Sequence, residues 1–338
     1  MKWSDKLKKK FLLILFLIVF IASGCSKSKN EDVILKTKQK IEGLDSYYAE
    51  GTLELFNNEE KFKYDVKVAY KKDNNFKVLL KNNINNHEQI ILRNQDGVYV
   101  LTPSLNKSFK FQSEWPYNNS QSYLLQTILK DIEDDKEKVI NAKDNMYVVT
   151  TKANYSNNKE LVKQDILIDS DYNIKEVLVY DDKGNIGINM KFDKIEENKS
   201  FDDNYFKVEN NMETEETFTE TISKIENITY PLYIPSNTFL SNKEVIKLEE
   251  GERVILTFKG ETPFMLIQET ASKQKEFITI PTLGEPCLFA DTIGTMSDNS
   301  ISWISNGIEY YVTSEVAGSE ELLNVAKSIG AMPVATTK

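Results

Sequence analysis

His87 is the only histidine among 338 residues, and it precedes an isoleucine-rich run, Gln89-Ile90-Ile91-Leu92. A Ser-His-Asp triad, a Cys-His pair and a multi-histidine metal centre all need imidazoles that other residues position. One histidine at the start of a strand-like run reads instead as an exposed or pairing side chain. Ser104-Leu105-Asn106-Lys107 sets a hydroxyl and an amine at Ser-x-x-Lys spacing, and Ser297-Asp298-Asn299 matches a second element used by penicillin-recognising enzymes. Those enzymes also need Lys-Thr-Gly or its like further on, and a helix that brings the lysine amine onto the serine hydroxyl. No such third element follows Asn299, and Pro103 together with the alternating pattern around 98–111 puts Lys107 at a turn. The sequence has no glycine-rich phosphate loop and no Gly-x-Ser-x-Gly elbow. Asp134-Asp135 ends a helical stretch and Asp181-Asp182 precedes Lys183-Gly184, so both carboxylate pairs read as solvated turn charge. The residues therefore predict neither an enzyme, a metal centre nor a cofactor site.

One residue does carry chemistry. Lys2, Lys6, Lys8, Lys9 and Lys10 lead into an unbroken apolar run, Phe11 to Ile21, and then Ala22-Ser23-Gly24-Cys25. A basic start, a short apolar run and small residues form an export signal, here residues 1–24; the run is too short to span a bilayer, which takes about 20 apolar residues. Cysteine directly after Ala-Ser-Gly resembles a bacterial lipobox, whose thiol receives diacylglycerol. The resemblance implies lipidation of Cys25, a short tether over 25–32, and a place on the extracytoplasmic face of the cell membrane. Stable anchoring then comes from acyl chains such as palmitate, at about 0.8 kcal/mol per buried methylene. Cys287 is the second of two cysteines. With Cys25 acylated it has no intramolecular disulfide partner, and beside Pro286, Leu288 and Phe289 it reads as a buried thiol.

The whole chain carries a net charge of -10; the leader holds five lysines and one aspartate, a charge of +4, so the remainder is near -14. That charge repels phosphate backbones, and no nucleic-acid partner is expected.

The hydrophobic pattern supplies the frame. Val33, Ile34, Thr37 and Ile41 lie at helical spacing before Gly43. The period then changes to two: Phe62, Tyr64, Val66, Val68 and Tyr70 alternate with mostly charged residues, and Phe76, Val78 and Leu80 continue the alternation, as do Ile186, Ile188, Met190 and Phe192. Further strands are expected at 88–93, 97–102, 145–151, 161–169 and 174–181, joined by hairpin turns such as Lys72-Asp73-Asn74-Asn75 and Asn94-Gln95-Asp96-Gly97. One helix, capped by Asn119 or Ser120, presents Tyr123, Leu124, Thr127, Ile128 and Ile132. This is an antiparallel sheet with one apolar face and covering helices. Acidic runs over 194–229 mark a boundary. A smaller α+β unit follows, with strands near 252–258, 263–268 and 307–313 and a final helix from Ser319.

The stretch from Gln89 to Leu125, including Asn94-Gln95-Asp96-Gly97-Val98-Tyr99-Val100 and Phe109-Lys110-Phe111-Gln112-Ser113-Glu114-Trp115-Pro116, closely resembles YdcC-type sporulation lipoproteins of spore-forming Gram-positive bacteria, a class grouped with LolA, LolB and RseB. Ile301-Ser302-Trp303, Gly307-Ile308-Glu309-Tyr310 and Glu320-Glu321-Leu322-Leu323 resemble the ends of RseB-like domains. The resemblance implies a curved LolA-like half-barrel over 33–208, a linker over 209–226 and an RseB-like domain over 227–335. It also implies non-catalytic binding of a lipid, a lipoprotein or an apolar protein segment, with Phe109, Phe111, Trp115 and Tyr123 near the mouth of an apolar cleft. The germination lipoprotein GerS shares the half-barrel, which implies an alternative: a scaffold or activator of a spore-cortex amidase, acting by protein contact.

Overall fold

The computed structural model describes residues 29–57, 60–155, 158–213, 224–289 and 291–330. Cys25, the leader and the 214–223 part of the acidic stretch lie outside them. The first sheet is built from β1 (Ser46–Asn57), β2 (Glu60–Lys71), β3 (Asn75–Asn82), β4 (Glu88–Asn94), β5 (Gly97–Thr102), β6 (Lys107–Phe111), β7 (Val139–Lys143), β8 (Met146–Lys152), β9 (Leu161–Ile168), β10 (Ile174–Asp181) and β11 (Ile186–Glu197). The later strands are β12 (Thr238–Lys247), β13 (Glu252–Gly260), β14 (Phe264–Thr270), β15 (Ile278–Thr282), β16 (Glu285–Phe289), β17 (Thr292–Met296), β18 (Ser300–Ser305) and β19 (Ile308–Thr313). Three α-helices complete the described residues: α1 (Lys29–Glu42), α2 (Leu125–Asp134) and α3 (Ser319–Gly330).

The fold class read from the sequence is borne out. The first sheet has twelve strands in the order β15-β6-β5-β4-β3-β2-β1-β11-β10-β9-β8-β7, and the second has seven, β12-β13-β14-β19-β18-β17-β16. All pairs are antiparallel except β15 on β6. The hairpin turns follow the sequence signals: Asp73 and Asn74 adopt positive φ at the β2–β3 turn, as a tight antiparallel connection requires.

The first sheet must curl. β4 and β9 stand six places apart, which in a flat sheet would be about 29 Å at about 4.8 Å per strand. Ile91 of β4 and Leu161 of β9 nevertheless line one cavity, and Phe76, Val78, Leu80, Val66, Val68, Met190 and Phe192 belong to the buried set on that side. The concave side of the curl is covered by Val33 and Ile41 of α1 and by Leu125, Ile128, Leu129 and Ile132 of α2. Alternation explains the inward set, because residues two apart share a face.

Three features differ from the sequence reading. The central strand β1 was not anticipated, because Gly51 interrupts its alternation. The register against β11 shifts between Glu50 and Gly51, and a Cβ at Gly51 would lie 2.2 Å from the Lys191 carbonyl oxygen. Glycine there permits a bulge, with the strand continuing through it. The helix expected to be capped by Asn119 or Ser120 starts only at Leu125, without a side-chain cap. Ser120 instead exchanges hydrogen bonds with Asn154, its N–H donating to the Asn154 carbonyl and its Oγ accepting from the Asn154 N–H at 2.9 Å. Finally, the outer face of β4 and β5 is covered. Ile90, Leu92, Tyr99 and Leu101 pack beneath Phe206, Val208 and Met212, so the start of the acidic stretch is fastened to the sheet.

Candidate binding cavity and its closing hairpin

Two units meet at the mouth of the half-barrel. β15 adds to the free edge of β6, pairing Ile280 with Phe109. The β16–β17 hairpin then enters the concave side, where Leu288 and Ile293 join the core of the first sheet. Its seat is polar. Gln89 lies on the inward register of β4, two residues before Ile91. Its Nε2 donates to the Ile293 carbonyl at 3.1 Å, and its Oε1 accepts from the Ile293 N–H at 2.7 Å and from Thr292 Oγ1 at 2.9 Å. Asn82, which continues the inward register of Phe76, Val78 and Leu80, donates to the Asp291 carbonyl at 3.2 Å. Burial pushes the Asp291 carboxyl upward from its usual range, opposed in part by the hydrogen bond it accepts from Ser305 at 2.6 Å and by the field of His87. Lys107, almost fully buried, forms an ion pair with Glu309, and Ser113 donates to Glu285.

Behind this hairpin lies a cavity of about 460 Å³, within the range of about 300–1,000 Å³ usual for small-molecule sites. Its apolar wall comes from Leu53, Leu55, Phe62, Ile91, Leu161 and Ile188, closed by Leu288 of the hairpin and Leu323 of α3. The remaining wall is polar: Ser120, Gln121, Ser122 and Tyr155 on one side, Glu160, Asp181, Asp182, Lys183 and Lys327 around the rim. The rim is spanned by Lys327–Glu160 at 3.7 Å and flanked by Lys159–Glu320 at 3.6 Å. Solvent-exposed pairs of this kind contribute about 0–1 kcal/mol, so the rim is weakly closed. Asp181 makes the turn expected of it, accepting from the Lys183 and Asn185 N–H groups at 2.9 and 2.7 Å. Asp135 likewise accepts from Glu137 and Lys152.

Of the four aromatics read as mouth residues, Tyr123 lines the cavity. Trp115 and Phe111 are buried in the concave core, and Phe109 packs between that core and the Leu105–Ala271–Ile304 cluster at the seam. Trp115 and Tyr123 are brought together: the indole N–H donates to the Tyr123 hydroxyl, which itself donates to Gln121 Oε1 at 2.6 Å. Trp115 is 1% exposed, so a charge at that position would report on folding, and the cavity is better examined from Ile188. Ser104 lies in a short 3-10 turn, where its Oγ meets no partner at bonding geometry, and Ser297 lies in the turn before β18, bonded within that turn to Asn299 and Ser300. Among the described residues no group of three or more His, Cys, Asp or Glu could hold a metal ion. Sequence reasoning missed Asn82 and Gln89. Their signal was present: each is an amide standing in an otherwise apolar alternation, where an inward polar group must find a partner.

A family model described as sporulation protein YdcC-like matches residues 7–206. The chain belongs to this family. It is 37% identical over 330 residues to the sporulation protein YdcC of Bacillus subtilis, covering 96% of this chain and 98% of that one. The agreement across both units places the YdcC-like relationship over nearly the full length. Among solved structures, a Pseudomonas aeruginosa MucA/MucB complex matches with 11% identity, TM-score 0.34, 89% of this chain and 98% of the other. The CwlD amidase–GerS lipoprotein complex of Clostridioides difficile matches with 18% identity, TM-score 0.28, 53% and 98%.

Proposed function

We propose that this sporulation-family protein is a non-catalytic lipoprotein, anchored through Cys25 on the extracytoplasmic face of the membrane, whose cavity holds an apolar guest: an acyl chain of a lipid or lipoprotein. The observation that carries this reading is the 460 Å³ space walled by Leu53, Leu55, Phe62, Ile91 and Ile188. Each Å² of apolar surface removed from water contributes about 25 cal/mol, so a partly buried chain gives useful affinity. The anchor supplies proximity, since a protein tethered to a bilayer meets acyl chains at high local concentration.

Two measurements test it. Residues 26–338 should bind N-phenyl-1-naphthylamine, a neutral apolar fluorophore, saturably. Cys287, the one thiol in that form and part of the cavity wall, should then react more slowly with a maleimide. Ile188→Asp, at a half-buried site, should weaken fluorophore binding by about tenfold or more through the cost of burying charge, with an unchanged circular dichroism spectrum. No saturable binding, or no effect of the aspartate, refutes the cavity reading and leaves contact through the outer surface. Independently, Cys25→Ser should abolish incorporation of labelled palmitate; persistent labelling refutes the anchor.

A further inference from the structure

The cavity wall is divided between the two units. Leu53, Phe62, Ile91 and Ile188 stand on the first sheet, whereas Leu288 comes from β16 and Leu323 from α3. Each unit has a core of its own: Leu256, Phe258, Leu266 and Leu322 pack together in the second, apart from the concave cluster of the first. What joins the units is mostly polar. The Gln274 and Ile278 N–H groups donate to the Leu105 and Asn106 carbonyls at 3.0 Å, and Ser108 Oγ lies 3.0 Å from Thr279 Oγ1. Lys107 pairs with Glu309, and the Ile293 N–H hangs on Gln89. β15 has five residues, none of them buried. Among the described residues, the apolar clusters that cross the seam take only Leu288 and Ile293 on the concave side and the small Leu105–Ala271–Ile304 group with Phe109. Hydrogen bonds of this kind find water when they break, so the seam opens more readily than either core. A guest in the cavity touches both sides of the seam, and parting the units strips it of one side of its wall.

Resting on the cavity reading above, we propose that guest binding and docking of the second unit are one coupled equilibrium. The guest is held only between docked units, and its presence fixes β15 on β6 and the β16–β17 hairpin on β4. Linkage is reciprocal: whatever holds the seam shut raises the affinity for the guest. Emptying the cavity in turn loosens β15 at the sheet edge, although no residue of β15 lines the cavity.

The test is amide hydrogen exchange in residues 26–338 with and without N-phenyl-1-naphthylamine. At about ten times its dissociation constant, the fluorophore should slow exchange at Gln274, Ile278 and Ile293 by about tenfold, the factor 1 + [L]/Kd expected when opening releases the ligand. None of the three lines the cavity, so direct shielding does not produce the effect. Amides of β12, at the opposite edge of the second sheet from β16, should be unchanged, since that edge frays independently. Glu309→Gln, outside the cavity wall, should speed exchange at all three seam amides together by about threefold or more, because it leaves Lys107 without its counter-charge. Saturable fluorophore binding with unchanged exchange at Ile278, equal slowing in β12, or a Glu309→Gln effect confined to Ile278 overturns the coupling and leaves the cavity reading standing. Absence of fluorophore binding overturns the cavity reading and this inference with it.

Discussion

Gln89→Ala should lower the free energy of unfolding by about 3 kcal/mol and free the β16–β17 hairpin before the rest of the protein opens. The side chain is buried and holds both the N–H and the C=O of Ile293. Its loss strands two buried backbone groups and Thr292 Oγ1, at roughly 1–3 kcal/mol for each group left unmet. Water entering the gap offsets part of this sum. Denaturant unfolding gives the total, and hydrogen exchange at the Ile293 amide locates it: exchange there should accelerate more than at the centre of β2. A loss under about 0.5 kcal/mol would mean that the apolar contacts of Leu288 and Ile293 hold the hairpin unaided.

Trp115→Ala should cost about 3–5 kcal/mol, the usual range for deleting a buried large aromatic side chain. The indole packs edge-on against Phe76 with centroids 6.0 Å apart, and its N–H serves Tyr123. Arg93 donates to the carbonyls of Glu114 and Trp115, so the backbone stays pinned and the site collapses poorly around the cavity left behind. Trp115→Phe should recover more than half of the loss, since most of the packing returns while the hydrogen bond does not. Near-native stability of Trp115→Ala by urea titration would show that the loop repacks.

How much of this architecture was legible depends on what each residue's neighbours are. Strands β2 to β5 and β8 to β11 could be read because one wet and one buried face leave a period of two. β15 could not, because Ile278-Thr279-Ile280-Pro281-Thr282 takes its partner from β6, some 171 residues earlier, and nothing local encodes that pairing. β12 was obscured for the opposite reason: most of its residues are exposed, so no burial pattern is imprinted on it. At the site, the aromatic stretch around Trp115 was visible as apolar, but the sequence does not say whether an aromatic fills a core or lines a space. Tyr123 lines the cavity and Trp115 fills the core, although only seven residues separate them.

The hairpin that closes the mouth is also among the last parts of that mouth to be made, with only Leu323 and Lys327 of α3 following it. The contacts between Gln89 and Ile293 join residues 204 apart, and loops of such length close late and slowly. The final strand of the first sheet apart from β15 ends at Glu197. A ribosome adding roughly 5–20 residues per second takes roughly 5–20 seconds more to reach Ile293. For that interval Leu53, Phe62 and Ile91 face an unclosed mouth. If the cavity holds a guest as proposed, the nascent chain has a period in which that guest enters without displacing anything, and closure afterwards traps it. Loading during birth and exchange in the finished protein would then differ in rate, even where the equilibrium affinity is the same.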